Sequence, residues 1–308
     1  FKQKTAYEIV DCDWSSDVCS SDLRKTKTAT PRRRHLMPSS GVVLHAFGAE
    51  RFDYYSLADN CARLVTKFLQ LPITLVTDRE PSNNLYDRVI IEQSTSSNNR
   101  VLRNVNETGE EIVHYKYRND TRSRSLELSP YDRTILLDSD YIITNSELLK
   151  FIATDCDFLC PYEAYDVTNR NKYVNFKYIS NTVQQAWATV VVFNKSIRSR
   201  SIFAYWQMVQ KNYAYYQALM NKPENFRNDY ALSLAVHAMN GNQPMAERLP
   251  KMMMLPGDSY IEHIDSDLNF IINCEKRAVK LSKVNLHVMN KLCLQSKQIQ
   301  EDIIAITA

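Results

Sequence analysis

The chain has 308 residues, 44% of them hydrophobic, with 38 basic and 35 acidic side chains and a formal net charge of +3. That excess is confined to residues 1–36, which hold eight basic and five acidic side chains; residues 37–308 carry 30 of each sign. A neutral body supplies no electrostatic argument for binding nucleic acid or a membrane surface. No apolar run approaches membrane-spanning length and no signal peptide is expected, so the protein is expected in the cytoplasm.

Residues 1–23 do not read as part of a folding domain. "DWSSDVCSSDL" (13–23) back-translates to the primer segment of a common short-read sequencing adapter, and "FKQKTAYEI" (1–9) to the flow-cell end of the same adapter. The gap between them is about eight bases, an ordinary index length, so residues 1–23 are set aside as translated adapter. "RKTKTATPRRRHL" (24–36) is a basic read-through or arm, and Met37 opens the segment expected to fold as one domain, 37–308. Those 272 residues suffice to bury about three quarters of their extended-chain surface.

In chain order, "GVVLHAFG" (41–48) predicts a buried strand ending in a glycine loop. "DYYSLADNCARLVTKFLQL" (53–71) spaces Leu57, Cys61, Leu64, Val65 and Phe68 for one helical face. "ITLVTD" (73–78) and "RVIIEQ" (88–93) predict two further strands, and 94–125 reads as a polar loop. "TILL" (134–137) and "ATVVVFN" (188–194) predict strands, followed by one long helix over 199–221 and a second over 228–239. The aromatic stripe Phe203, Trp206, Tyr213 and Tyr216 on the long helix is expected to be core. Strands alternating with helices imply an α/β fold with a mainly parallel central sheet, whose ligands bind beyond the strands' carboxyl ends.

The five cysteines from Cys61 to Cys293 are odd in number, and the Cys156–Cys160 spacing lacks the partners of a zinc site; reduced thiols are expected. The five glycines (Gly41, Gly48, Gly109, Gly241, Gly257) form neither of the glycine-rich phosphate cradles. A nucleotide ligand would therefore need its phosphates neutralised by a metal on carboxylates. "TILLDSDYII" offers one: Asp138 and Asp140 follow an apolar strand, and an extended backbone would send both carboxylates to one side. Two hard oxygen donors there suit Mn²⁺ or Mg²⁺.

Over most of residues 40–295 the chain resembles GT-A-fold glycosyltransferases, and more closely those encoded by tailed bacteriophages. The resemblance is carried by "VVLHAFG", "LPITLVTD", "LSPYDRTILLDSDYII", "WATVVVFNKS", "FRNDYALSLAVHAMNG" and "VNLHVMNK". It implies a sugar transferred from a nucleoside-diphosphate donor to an acceptor that the sequence does not identify. It also implies metal ligation by Asp138 and Asp140, with Ser139 between them against the donor. His287 and Lys291 resemble the late histidine and lysine of glycogenin-type retaining enzymes, one on the metal and one on the diphosphate. The motif's glycine is absent here and the spacing is two residues shorter. The resemblance further implies donor contacts at Ala46, Phe47, Asp78 and Arg122, the last 16 residues before Asp138.

Asp229 is the expected catalytic residue. It lies in the first turn of a predicted helix, where a carboxylate is also favoured by the helix dipole alone. In inverting enzymes such a residue deprotonates the acceptor hydroxyl; in retaining ones the same region positions substrate. Trp187 reads as core or as a surface for a sugar face. Two other readings remain open at this point. One is a nucleotidyltransferase, which the missing glycine-rich loop disfavours; the other is a non-catalytic sugar-nucleotide-binding or virion-associated module on the same fold.

Overall fold

A computed structural model of the chain describes residues 39–93, 98–106, 109–118, 120–173, 176–180, 182–221, 225–243, 245–275 and 277–308. The adapter-like and basic segments, 1–36, lie outside the described residues. In chain order the first elements are β1 (Ser40–Ala46), α1 (Tyr54–Phe68), β2 (Ile73–Thr77), β3 (Arg88–Ile91), β4 (Asn98–Asn106) and β5 (Gly109–Tyr117). A 3₁₀ turn (Asp120–Arg124) leads into α2 (Ser125–Leu128), β6 (Arg133–Leu137), β7 (Tyr141–Ile142), α3 (Leu149–Ile152), β8 (Phe158–Leu159), β9 (Ala164–Asp166) and β10 (Val190–Asn194). Then come α4 (Ile197–Lys211), α5 (Tyr213–Met220), α6 (Asn228–Met239), β11 (Met252–Leu255), β12 (Ser259–Ile264), β13 (Asn269–Cys274), β14 (Arg277–Ser282), β15 (Leu286–Val288), α7 (Lys291–Leu294) and α8 (Lys297–Thr307).

The largest sheet has the order β3-β2-β1-β6-β10-β8. β3, β2, β1 and β6 run parallel, and β10 is antiparallel to both its neighbours. The fold is therefore mixed α/β with a mainly parallel central sheet, as the strand–helix rhythm implies. Its middle strands are buried on both faces, which is why they read as unbroken apolar runs. A second sheet, β7-β15-β11-β9, begins only three residues after β6 ends, so residues 138–140 join the two sheets. The antiparallel sheet β12-β13-β14 and the hairpin β4-β5 complete the strands.

Local chemistry explains the helix bounds. Asp53 caps α1, its carboxylate accepting from the amides of Tyr55 and Ser56 at 3.1 and 3.2 Å. The helix then buries Leu57, Cys61, Leu64 and Val65, the face its spacing sets. The single helix expected over 199–221 is instead two. Asn212 leaves helical geometry (φ −110°, ψ 29°), and its side-chain amide donates to the Met208 carbonyl at 2.8 Å. The aromatic stripe is core, with Trp206 and Phe203 nearly fully buried and their rings stacked 5.5 Å apart.

The larger correction concerns 94–125. Residues 98–106 and 109–117 pair as antiparallel strands in continuous register, 120–128 are helical turns, and 94–97 lie outside the described residues. Polar residues recur on both faces of "NNRVLRNVN" and "GEEIVHYKY", so the alternation that marks a half-buried strand is missing. The five cysteines Cys61, Cys156, Cys160, Cys274 and Cys293 are free thiols. No helix among the described residues is long and apolar enough to cross a membrane.

One close approach sets a testable limit on this packing. A Cβ at Gly41 would stand 2.3–2.5 Å from ring atoms of Tyr131, whose hydroxyl accepts from Thr74 at 3.0 Å. Gly41→Ala should destabilise the protein by about 1–3 kcal/mol through overpacking. An unchanged urea midpoint would show that the contact is not as tight as described.

Candidate active site

The cleft opens at the carboxyl ends of β1 and β6, where an open α/β sheet places its ligands. Its walls come from both sheets and from loops between elements. β6 delivers Asp138, Ser139 and Asp140; β1 delivers His45 and Phe47; β15 and α7 deliver His287 and Lys291. The start of α6 contributes Asn228 and Asp229, the 3₁₀ turn Arg122, and the segment before β10 Trp187, Ala188 and Thr189.

Asp138 and Asp140 converge for a reason other than the expected one. The strand ends at Leu137, and Ser139 and Asp140 lie in a turn rather than in extended backbone. The Asp138 amide donates to the Thr189 carbonyl at 2.9 Å, and the Asp140 carbonyl accepts from the Val288 amide at 3.0 Å. The turn is thus pinned on one side to the segment before β10 and on the other to β15. The side chain of Asp138 is 24% exposed and that of Asp140 only 5%, so Asp138 is the carboxylate that faces the open cleft.

His287 completes the group. Its Nε2 lies 3.3 Å from Asp140 Oδ1 and 3.9 Å from Asp138 Oδ2, and Thr189 Oγ1 lies 3.4 Å from Nδ1. One ligand atom from each of the three residues falls within 4.8 Å of the others. Ligands about 2.1 Å from a shared ion stand roughly 3–4 Å apart, so two carboxylates and this imidazole fit a divalent cation after slight contraction. The residues present could therefore hold a divalent cation.

Two buried cations hold the carboxylates. Arg122, 3% exposed, reaches Asp138 Oδ1 at 2.9 Å and donates to the carbonyls of Leu137 and Ala188 at 3.1 and 2.5 Å. Lys291 pairs directly with Asp140 Oδ2. Burial pushes the Asp138 carboxyl above its ordinary range; Arg122 opposes this, the charge of Asp140 adds to it, and the net direction is upward. Burial acts the same way on Asp140, but the charges and hydrogen bonds of Lys291 and His287 outweigh it and hold Asp140 well below the carboxylate range.

Sequence reasoning did not single out several residues that build this site. His45 Nδ1 and Nε2 each lie 2.9 Å from a hydroxyl, of Thr121 and Ser125, at either end of the turn that carries Arg122. Burial, with Arg122 and Arg124 adding to it, pushes the His45 pKa well down, so a neutral imidazole braces that turn. Tyr54, Tyr117, Arg118, Thr189, Arg227, Asn228 and Met289 also line the cleft. They come from strand ends and helix starts brought together only by the fold, and carry no local motif.

The remaining expected residues fall as follows. Phe47 lines the cleft, whereas Ala46 is buried at the end of β1 and does not. Asp78 does not itself line the cleft; it accepts from the Gly48 amide at 3.1 Å, the Tyr55 hydroxyl at 2.5 Å and the cleft-lining Arg118 at 3.1 Å. Asp229 accepts from the Ala188 amide at 2.9 Å through Oδ1 and from Arg227 at 3.2 Å through Oδ2. Among the described residues, the four lysines and arginines lining the cleft each meet a carboxylate: Arg118 with Asp78, Arg122 with Asp138, Arg227 with Asp229 and Lys291 with Asp140.

No protein-family profile matches the chain, and no curated protein does. Among solved structures it is similar to the glycosyltransferase GlyE of Streptococcus pneumoniae TIGR4, at 12% identity and a TM-score of 0.40, over 69% of this chain and 45% of that one. To the apo form of GlyE it is similar at 15% identity and a TM-score of 0.38, over the same shares. The chain thus spans less than half the length of that enzyme. A likeness this distant leaves function to the side chains of the cleft.

Removing Arg122 tests how the cleft is held. Arg122→Met strands a carboxylate and two carbonyls and should cost about 3–5 kcal/mol. Arg122→Lys should recover little, because an ammonium cannot span three acceptors in the guanidinium's planar array. Adding Asp138→Asn to Arg122→Met should restore part of the loss in chemical denaturation. Full stability of Arg122→Met would show that the residue does not carry this role.

Proposed function

We propose that the chain is a GT-A-type glycosyltransferase that moves a sugar from a nucleoside-diphosphate donor to an acceptor hydroxyl, with residues 37–308 as its working unit. The observation that carries this reading is the grouping of Asp138, Asp140 and His287 within ligand reach of one another in a cleft that also holds Lys291. A nucleoside diphosphate is a dianion or trianion leaving group, and this chain has no glycine-rich loop to receive it. A divalent cation on these three residues would offset the charge that develops on that leaving group.

The other roles belong to the protein's own side chains. Lys291 meets the diphosphate once it leaves Asp140. Phe47 in the cleft wall, and Asp78 through its contact with the cleft-lining Arg118, would meet the nucleoside. Arg122 fixes the orientation of Asp138 through its three contacts. Ser139 sits between the two ligands and faces the donor. Asp229 orients or deprotonates the acceptor hydroxyl through Oδ2, which Arg227 would have to leave. Oδ1 is committed to the Ala188 amide, whereas Arg227 on Oδ2 is 29% exposed and can turn away. The resemblance to phage-encoded enzymes, and of the late histidine and lysine to the glycogenin type, belongs to the same reading.

The test uses the full chain and Asp140→Asn against UDP-, GDP-, ADP- and dTDP-sugars, with and without Mn²⁺. One donor should raise the melting temperature in a metal-dependent way, by the equivalent of about 2.7 kcal/mol at a hundredfold excess over Kd. The same donor should slowly release its nucleoside diphosphate, and Asp140→Asn should lower that rate at least about a hundredfold. Metal-dependent binding without release, with any acceptor mixture offered, would favour the non-catalytic binding module. Folded protein that responds to no donor would sink the reading.

A further inference from the structure

A half-open cavity of about 330 Å³ lies among α3, β7, β11 and the start of β10, and shares no lining residue with the cleft. Its floor is apolar, with Leu148, Val190, Leu249 and Met252 all buried. Of the buried polar groups in it, Asn285 is already engaged. Its Oδ1 accepts from the Thr144 and Asn145 amides at 2.8 and 3.3 Å, and its side-chain amide donates to Asn145 Oδ1 at 2.9 Å. Tyr141 differs: it is 6% exposed, and its hydroxyl has no hydrogen-bond partner among the described residues. Buried polar groups are normally paired, so a donor left over in a cavity wall points to a partner from outside. Burial pushes that hydroxyl's pKa up, and the charge of Glu147, which lines the same cavity, adds to this, so Tyr141 stays a donor.

We propose that this cavity is a second ligand site, for a small uncharged molecule with an apolar body and one hydrogen-bond acceptor that takes the Tyr141 hydroxyl. An engineered apolar cavity of about 150 Å³ takes up benzene, so this one has room for roughly ten to twelve non-hydrogen atoms. Ordered water is a poor occupant. A buried water needs about two to four polar partners, and the floor offers the Tyr141 hydroxyl against apolar walls. Charge does not select the ligand either. At the mouth Glu147 and Lys283 are exposed and opposite in sign, and Lys251 pairs with Glu163 at 2.8 Å. Met252 and Met253, flexible and polarizable, let the wall adapt to a flat or a branched body. Tyr141 and Val190 directly follow Asp140 and Thr189 in the chain, so an occupant packs against the strands that adjoin the crossing at residues 138–140. Binding here needs neither a metal nor a sugar donor in the cleft.

The probes are acetophenone, a benzene ring with one carbonyl acceptor, and α-methylstyrene, its counterpart of nearly the same shape without one. In a ligand-observed NMR titration of the full chain, acetophenone should bind with a Kd below about 1 mM. Tyr141→Phe should weaken acetophenone by about threefold to tenfold. The same variant should bind α-methylstyrene as wild type does, because that probe never used the hydroxyl. Met253→Trp fills the cavity and should abolish binding of both probes; Val284→Phe serves the same purpose should the first variant not fold. Wild type that binds neither probe at about 1 mM overturns the proposal. So does an acetophenone affinity that Tyr141→Phe leaves unchanged, or that changes equally for both probes. Binding that persists in a folded, cavity-filled variant places the probe elsewhere and overturns it as well.

Discussion

Two carboxylates two residues apart, brought together at the end of a buried strand, are the constraint around which this molecule is organised. Each loses hydration, and each repels the other, so neither can remain ionised there without compensation. Arg122 and Lys291 supply it from opposite directions in the chain, one from the turn before β6 and one from the helix after β15. Both cations are themselves buried, so each pair exists only because its partner does. Supports surround both. His45 braces the turn that carries Arg122, and Asn290 fixes the turn that carries Lys291. The site is less a set of side chains placed on a scaffold than a charge arrangement that ties distant segments together.

That arrangement explains an otherwise odd feature of the architecture. The polypeptide passes from the six-stranded sheet to the four-stranded one across residues 138–140, with no longer connection between them. A tight crossing leaves backbone amides and carbonyls to be satisfied locally. The Asp138 amide finds the Thr189 carbonyl, the Val288 amide finds the Asp140 carbonyl, and Arg122 gathers the carbonyls of Leu137 and Ala188. The same contacts that close the backbone around the crossing aim the carboxylates into the cleft. Fold and site are here one set of hydrogen bonds.

The parts of this that were legible in the sequence share a physical cause. β1, β2, β6 and β10 are buried on both faces and announce themselves as apolar runs, and α1 carries its buried face at helical spacing. The strand pair β4 and β5 was not legible, because its polar sequence gives no alternation to read. Within the site, Phe47, Arg122, Asp138, Ser139, Asp140, Asp229, His287 and Lys291 were named in advance and do meet in one cleft. The geometry that joins the two aspartates was misread, since a turn between sheets, not an extended strand, sets their direction. His45 was invisible for a different reason. A histidine inside an apolar strand reads as core, and its two hydroxyl partners lie 76 and 80 residues away.

The pairing of every cleft-lining lysine and arginine with a carboxylate bears on what kind of molecule the cleft can accept. A site meant for a bare anion keeps a cation free to meet it, and a site meant for a bare metal ion keeps its carboxylates free. Among the described residues, each lysine and arginine of this cleft already meets a carboxylate, while Asp138 Oδ2 and Asp140 Oδ1 face His287 rather than Arg122 or Lys291. An anionic ligand that takes a carboxylate's place on one of the buried cations leaves that carboxylate unmatched, which is costly in a poorly solvated site. The cost of breaking such a pair falls on both partners, so the charges of this cleft act as one coupled set rather than as separate contacts.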